Sequence, residues 1–138
     1  MSQTVSLDFE LKSPIERVWH ALTDSAMLSR WTFFDPEDFR PVVGHRFRLR
    51  GRPEGGGVVV DCEVLVADPP HRLSYTWDVE AFRHRTTVAW TLTEAGDGAT
   101  RLHLEQSGFD SDATGAAAGA KYAWTHMLNR LQDVLTPA

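Results

Sequence analysis

Arg46-Phe47-Arg48-Leu49-Arg50-Gly51-Arg52-Pro53-Glu54-Gly55-Gly56-Gly57-Val58-Val59-Val60-Asp61-Cys62-Glu63-Val64 reads as two strands around a glycine-rich turn. Residues 46–50 and 60–64 alternate apolar with charged side chains, the period of a half-buried strand. Centring the hairpin between Glu54 and Gly55 sets Phe47 beside Cys62 and Leu49 beside Val60 on one face. The same centring sets Arg48 beside Asp61 and Arg46 beside Glu63 on the other. One face is then apolar, and the other pairs opposite charges worth about 0.2 to 1 kcal/mol each. A one-residue slip would turn the whole apolar set outward, so the pattern fixes which face is inner.

Toward the C-terminus the same reading gives strands over 72–79, 86–94 and 100–109, after those over 45–50 and 58–66. Asp68-Pro69-Pro70, a polar tip at Arg83-His84-Arg85, and Ala95-Gly96-Asp97-Gly98 are the turns between them. Connections this short imply an antiparallel meander. Hairpin centring predicts Cys62 beside Trp77 and Val64 beside Tyr75, then Trp77 beside Val88 and Tyr75 beside Trp90, then Val88 beside Gln106 and Trp90 beside Leu104. Toward the N-terminus, residues 4–11 alternate as a further strand, with Val5, Leu7, Phe9 and Leu11 apolar. Ser13 is placed to cap a helix whose first position suits Pro14 and whose apolar stripe is Ile15, Val18, Trp19 and Leu22. Asp24 can cap a second helix reaching Trp31. Residues 32–44, rich in prolines and acids, read as an irregular loop whose Phe33, Phe34 and Phe39 need cover. From 112 to 135 the apolar residues recur at threes and fours, predicting a helix of about 36 Å, long enough to cross a sheet. Its start, Thr114-Gly115-Ala116-Ala117-Ala118-Gly119-Ala120, has only small side chains, and residues 112–120 are expected to be mobile, rimming a pocket together with residues 31–39.

The predicted fold class is α+β. A curved antiparallel sheet of about six strands wraps a long C-terminal helix, two short helices follow the first strand, and residues 1–138 make a single domain. The inner face carries Phe47, Tyr75, Trp77 and Trp90, with Trp124 facing them from the helix. These rings either fill a core or line a pocket. Gln106, an amide on an apolar face, needs a partner there, a water or a hydroxyl such as that of Tyr75. Together with the small-residue helix start, which cannot fill the sheet end it crosses, this favours the pocket.

The chain has 138 residues, with 14 Lys+Arg against 19 Asp+Glu and a net charge of −5. That length suits one core, and the negative balance argues against nucleic acid or an anionic membrane as partner. No apolar run approaches the about 20 residues of a membrane span, and residues 1–8 have no signal-peptide pattern, so a cytoplasmic location is expected. Cys62 is the only cysteine, so no internal disulfide can form, and an inward thiol behaves as a small hydrophobe. His20, His45, His71, His84, His103 and His126 form no metal-ligand spacing, and neither metal nor cofactor is expected. No Gly-x-Ser-x-Gly elbow is present, and Gly55-Gly56-Gly57 lacks the Lys-Ser/Thr of a phosphate loop. Arg46, Arg48, Arg50 and Arg52 form a basic stripe that either holds an acid or, opposite Asp61 and Glu63, makes a solvated salt-bridged face, the better reading. Asp35, Glu37, Asp38 and Arg40 are candidates for acid or base at a pocket mouth, although loops are polar without any such role.

Residues 13–24, Arg30-Trp31, Gly44-His45-Arg46-Phe47, residues 67–77, Ser107-Gly108-Phe109 and residues 124–131 together resemble the START-like (SRPBCC) superfamily, and within it the activator of heat-shock-protein-90 ATPase homologue (AHSA-like) family. The resemblance spans nearly the whole chain. It implies the helix-grip fold and a hydrophobic cavity between sheet and helix that accepts a lipid-like, polyketide or other apolar molecule. The chain departs from the family at Gly44-His45, where Gly-Gly is common, at Ala123-Trp124, where Gly-Trp is common, and at Gln106, where His is common. The family's eukaryotic co-chaperone carries a further amino-terminal domain with no counterpart in this sequence. The expected function is binding of an apolar or amphipathic small molecule, without a catalytic set. Phe47, Cys62, Tyr75, Trp77, Trp90, Leu104, Gln106, Trp124, Met127 and Leu128 are the expected ligand-binding residues. The chain is expected to act as a monomer or homodimer, without nucleic acid or membrane insertion. The alternatives are a cyclase, dehydratase or hydrolase using the same cavity, which needs an inward ionisable pair, or an interaction module resembling the chaperone activator.

Overall fold

The computed structural model describes residues 2–53, 57–79, 85–110 and 116–135. Its elements run β1 (Ser2–Leu11), α1 (Ile15–Thr23), α2 (Ser25–Trp31), β2 (Phe34–Glu37), β3 (Arg46–Gly51), β4 (Val59–Asp68), β5 (Arg72–Val79), β6 (Arg85–Gly96), β7 (Ala99–Asp110) and α3 (Ala116–Leu135). The expected turn residues Glu54, Gly55 and Gly56, the tip residues Arg83 and His84, and the predicted helix start over 112–115 lie outside the described residues. Seven strands make one antiparallel sheet in the order β1-β7-β6-β5-β4-β3-β2: a meander from β2 to β7, with β1 laid along β7. The three helices cover the apolar face, α1 against β6 and β7, α2 against β2, and α3 against α1, α2 and β1. This is the α+β helix-grip architecture. Among the described residues no helix is long and apolar enough to cross a membrane.

Charge and apolar alternation set the β3–β4 register as the sequence predicts, Phe47 opposite Cys62 and Arg48 opposite Asp61. The outer face closes with Arg48 on Asp61 at 2.9 Å and Arg46 on Glu63 at 3.2 Å. Val64 lies opposite Tyr75, and beyond β6 Val88 faces Gln106 and Trp90 faces Leu104, again as predicted. The β5–β6 register is corrected: Tyr75 faces Val88, Leu73 faces Trp90, and Trp77 faces Thr86. The difference is two residues, a slip that leaves every side chain on its own face and that apolar alternation cannot detect.

Two further expectations are corrected. Residues 32–44 are not loop throughout, because β2 forms the seventh strand at the sheet edge. Pro36 disguises it in the sequence, yet an edge strand tolerates a proline, since one side of its ladder needs no donors. Asp35 and Glu37 bind β2 to its neighbour through Arg52 at 2.7 Å and through Arg50. Ser13 is not a cap, for Pro14 occupies that position without a side-chain bond. The Ser13 hydroxyl instead donates to the Leu135 carbonyl at 3.2 Å, and Thr100 donates to the Ser13 carbonyl at 2.7 Å. The corner between β1 and α1 is thereby tied to the end of α3 and to β7. Asp24 does cap α2, accepting from the Met27 amide at 3.0 Å.

Gly108 is the extra residue of a bulge in β7, where the pairing moves from Gln3–Phe109 to Thr4–Ser107. Its φ of +95° is a left-handed value, and an added Cβ would lie 3.3 Å from the Arg85 carbonyl oxygen. Bulges bend a strand and increase its twist, which curves this sheet toward α3. Gly108→Ala is expected to lower stability by about 1 to 2 kcal/mol, read as a lower denaturant midpoint. On the outer face, His103 contacts Glu105 at 3.0 Å and Asp8 of β1 at 2.8 Å through its two ring nitrogens. Those bonds, Glu105 first and Asp8 second, raise its pKa above the ordinary 6.5. A raised folded-state value stabilises fully below the ordinary one, and the gain fades as pH rises through the folded value. The stability difference between the parent and His103→Gln should therefore be largest in mild acid and shrink toward alkaline pH. An NMR titration should place the His103 midpoint above the ordinary histidine value of 6.5.

Candidate functional site

Strands β3 and β5 present Phe47, Leu49, Tyr75 and Trp77 inward, and α3 sets Trp124 against them. Leu28 and Trp31 of α2, then Thr32, Phe34 and Phe39, close the remaining side. Together they enclose a void of about 20 Å³, and seven of its ten lining residues are aromatic. That volume admits about one water.

The rings meet mostly edge to face, the arrangement their quadrupoles favour. Phe39 stands on Phe47 with centroids 4.6 Å apart, Phe47 on Tyr75 at 5.4 Å, and Phe34 on Trp77 at 5.5 Å. Trp124 joins Trp77 at 5.3 Å to Trp90 at 5.4 Å, and Trp31 meets Trp90 from the other side at 6.0 Å. Phe33 packs against His126 at 5.8 Å, beneath the Arg130 guanidinium, so the third loop aromatic ties the rim to α3.

Each buried indole N–H requires an acceptor, and three separate acceptors meet that requirement. Trp31 donates to the Ala21 carbonyl at 2.9 Å, Trp90 to the Tyr75 hydroxyl at 3.0 Å, and Trp124 to the Gln106 amide oxygen at 2.7 Å. Gln106 in turn donates to the Thr86 hydroxyl at 2.8 Å, and Thr86 to the Trp77 carbonyl at 3.3 Å. Gln106 thus has partners, but they are Thr86 and Trp124. Tyr75, the hydroxyl expected to serve it, is taken by Trp90. Burial raises the pKa of the Tyr75 phenol, opposed only in part by the Trp90 bond, and keeps it protonated. Burial, then Asp61 and Asp78, likewise raises the Cys62 thiol, which makes no thiolate nucleophile.

Of the ten expected ligand-binding residues, Phe47, Tyr75, Trp77 and Trp124 border the void. Cys62, Trp90, Leu104, Gln106, Met127 and Leu128 are buried in the layer behind them. Trp31, Thr32, Phe34 and Phe39, from the segment 31–39 expected to rim the pocket, complete the lining together with Leu28 and Leu49, which are not among the expected residues. The signal for two of them lies in the sequence, since Phe34 and Phe39 are aromatics in a polar stretch and must find cover. The acidic candidates beside them are engaged elsewhere: Asp35 with Arg52, Glu37 with Arg50, and Asp38 with Arg40 at 3.4 Å. Among the described residues no three His, Cys, Asp or Glu side chains converge as a metal site.

The family model of the Activator of Hsp90 ATPase homolog 1-like proteins matches residues 12–136. The chain belongs to this family. Among solved structures, protein MLL2253 from Mesorhizobium loti shares 39% identity with this AHSA1-like chain at a TM-score of 0.87, over 96% of each. CalU16 from Micromonospora echinospora shares 26% identity at a TM-score of 0.80, over 99% of this chain and 78% of its own. DynU16, a protein of the dynemicin biosynthetic locus, shares 26% at 0.81, over 96% of this chain and 46% of its own. No curated protein matches the AHSA1-like chain significantly.

The Gln106 bridge carries a consequence for stability. Gln106→Leu would strand the Trp124 N–H inside an apolar layer, a loss of about 1 to 3 kcal/mol. Denaturant unfolding should show a lower midpoint with an unchanged slope.

Proposed function

We propose that this AHSA1-like chain acts as one domain that binds an apolar or amphipathic small molecule between its sheet and α3. The observation that carries the reading is the nearly all-apolar void ringed by aromatic side chains, beside the shortest strand of the sheet. A void for one water is too small for such a ligand, so binding displaces the rim. The rim is built for displacement: β2 has four residues and pairs only with β3, and Trp77 is half-buried. Phe34 and Phe39 swing out with β2 and the segment after it, leaving Phe47, Tyr75, Trp77 and Trp124 as walls. Cys62, Trp90, Leu104, Gln106, Met127 and Leu128 back those walls. Similarity to a protein of the dynemicin biosynthetic locus fits a domain that handles a small organic molecule. Tyr75 and Cys62, the ionisable groups on this inner face among the described residues, both stay protonated, so we assign no catalytic set.

Thermal unfolding with palmitate, a flavonoid and fluorene tests the reading. A ligand at 100 times its Kd should stabilise by about 2.7 kcal/mol, raising the midpoint by about 10 °C. Hydrogen exchange of the β2 amides should change on binding while the central strands stay protected. No stabilisation by any of the three, with no change in tryptophan emission, would overturn the proposal.

A further inference from the structure

Two lining residues, among those described, carry a polar hydrogen that no described acceptor takes, the phenol of Tyr75 and the indole of Trp77, and of the two only Tyr75 is buried, Trp77 being half-buried. Its hydroxyl offers one donor hydrogen and accepting lone pairs. The oxygen accepts the Trp90 N–H at 3.0 Å, while no described acceptor takes the hydrogen. Three further lining donors are committed: Trp31 to Ala21, Trp124 to Gln106, and the Thr32 hydroxyl to the Leu28 carbonyl at 2.6 Å. Tyr75 is buried, at 6% exposure, so bulk water does not serve it.

We infer that the Tyr75 hydroxyl is the specificity-determining donor of this pocket, and that the molecule it selects is an uncharged, flat aromatic carrying a carbonyl or quinone oxygen. The inference rests on the reading of the space as a ligand site. A bond donated by Trp90 polarises the phenol and strengthens it as a donor, and it also holds the ring in place. Burial keeps the phenol protonated, so the donor persists across the working pH range. A carbonyl supplies an acceptor without a second hydrogen that would itself need a partner. The lining has no Lys, Arg or His, so a carboxylate inside would lack a counter-charge. Aromatic walls favour a flat guest through edge-to-face and offset contacts.

Fluorene and 9-fluorenone separate the claims, because they share a ring system and differ in a methylene against a carbonyl. Titrated by quenching of tryptophan emission, the parent should bind fluorenone about tenfold more tightly than fluorene, the upper value of one net hydrogen bond. Tyr75→Phe should abolish the preference, bringing the ratio of fluorenone to fluorene affinity from about ten to about one. Since that variant strands the Trp90 N–H, the infrared carbonyl stretch of fluorenone bound to the parent serves as a second reading. It should lie below its position in a hydrocarbon solvent. Equal affinity for the two compounds, with the stretch at its hydrocarbon position, overturns the role of Tyr75 and leaves the pocket standing. Binding of palmitate with neither aromatic overturns the ligand class alone. No binding of palmitate, the flavonoid, fluorene or fluorenone overturns both the inference and the proposed function.

Discussion

The inner face of the sheet is wider than one helix can cover, and the rest of the molecule answers that mismatch. Seven strands have six gaps of about 4.8 Å, some 29 Å in all, whereas a helix with its side chains is about 10 to 12 Å across. α3 therefore leaves more than half of the apolar face to other groups. α1 takes the β6 and β7 side, and α2 with β2 folds over the opposite end. What remains between them is filled by aromatic side chains rather than by backbone. Rings packed edge to face leave gaps where aliphatic chains would interdigitate, and the void lies at that seam.

The two faces of the sheet are held by different physics, and the difference separates what is firm from what moves. Inside, Gln106 and Thr86 form a polar inlay that fixes Trp124, and through it α3, to β6 and β7. The low local dielectric strengthens these bonds and makes their loss expensive. Outside, the arginines of β3 and the acids of β2 and β4 pair at exposed sites where one ion pair contributes little. Arg52 does more than pair with Asp35. Its backbone N–H donates to the Phe33 carbonyl at 2.8 Å, and its guanidinium reaches the Thr32 carbonyl. The pocket rim is thus held both by the ring contacts of Phe34 and Phe39 and by polar contacts along one edge, which can reform after it opens.

How much of this was legible in the sequence depended on whether a wrong placement would have shown. The β3–β4 register was legible because a one-residue slip would have buried Arg48 and exposed Phe47. The β5–β6 register was not, since moving Tyr75 from Trp90 to Val88 keeps all three on the inner face. β2 was hidden by its length and by Pro36, and Ser13-Pro14 imitated a cap because a serine before a helix usually is one. For the site, Phe47, Tyr75, Trp77 and Trp124 followed from periodicity alone. Phe34 and Phe39 did not, because only β2 folding back beside β3 brings them over the void. The partner of Gln106 was equally out of reach: Thr86 sits diagonally from it, two residues along β6 from its opposite number Val88.

Gln106 and Tyr75 both bring polar atoms to the inner face, and the completeness of their bonding distinguishes them. Gln106 accepts from one neighbour and donates to another, and removing it leaves both wanting, which is the signature of a structural group. Tyr75 accepts and has nothing described to give to. A hydroxyl needed only to satisfy Trp90 could be replaced by any acceptor there, including a backbone carbonyl, as Ala21 serves Trp31. Placing a phenol instead keeps a buried, uncommitted donor at the wall of a mostly apolar void, at the seam where the helices leave the sheet uncovered. The same width mismatch that opens the void leaves Tyr75 at its wall, so the geometry that makes room for a guest also sets a buried contact by which one guest can be told from another.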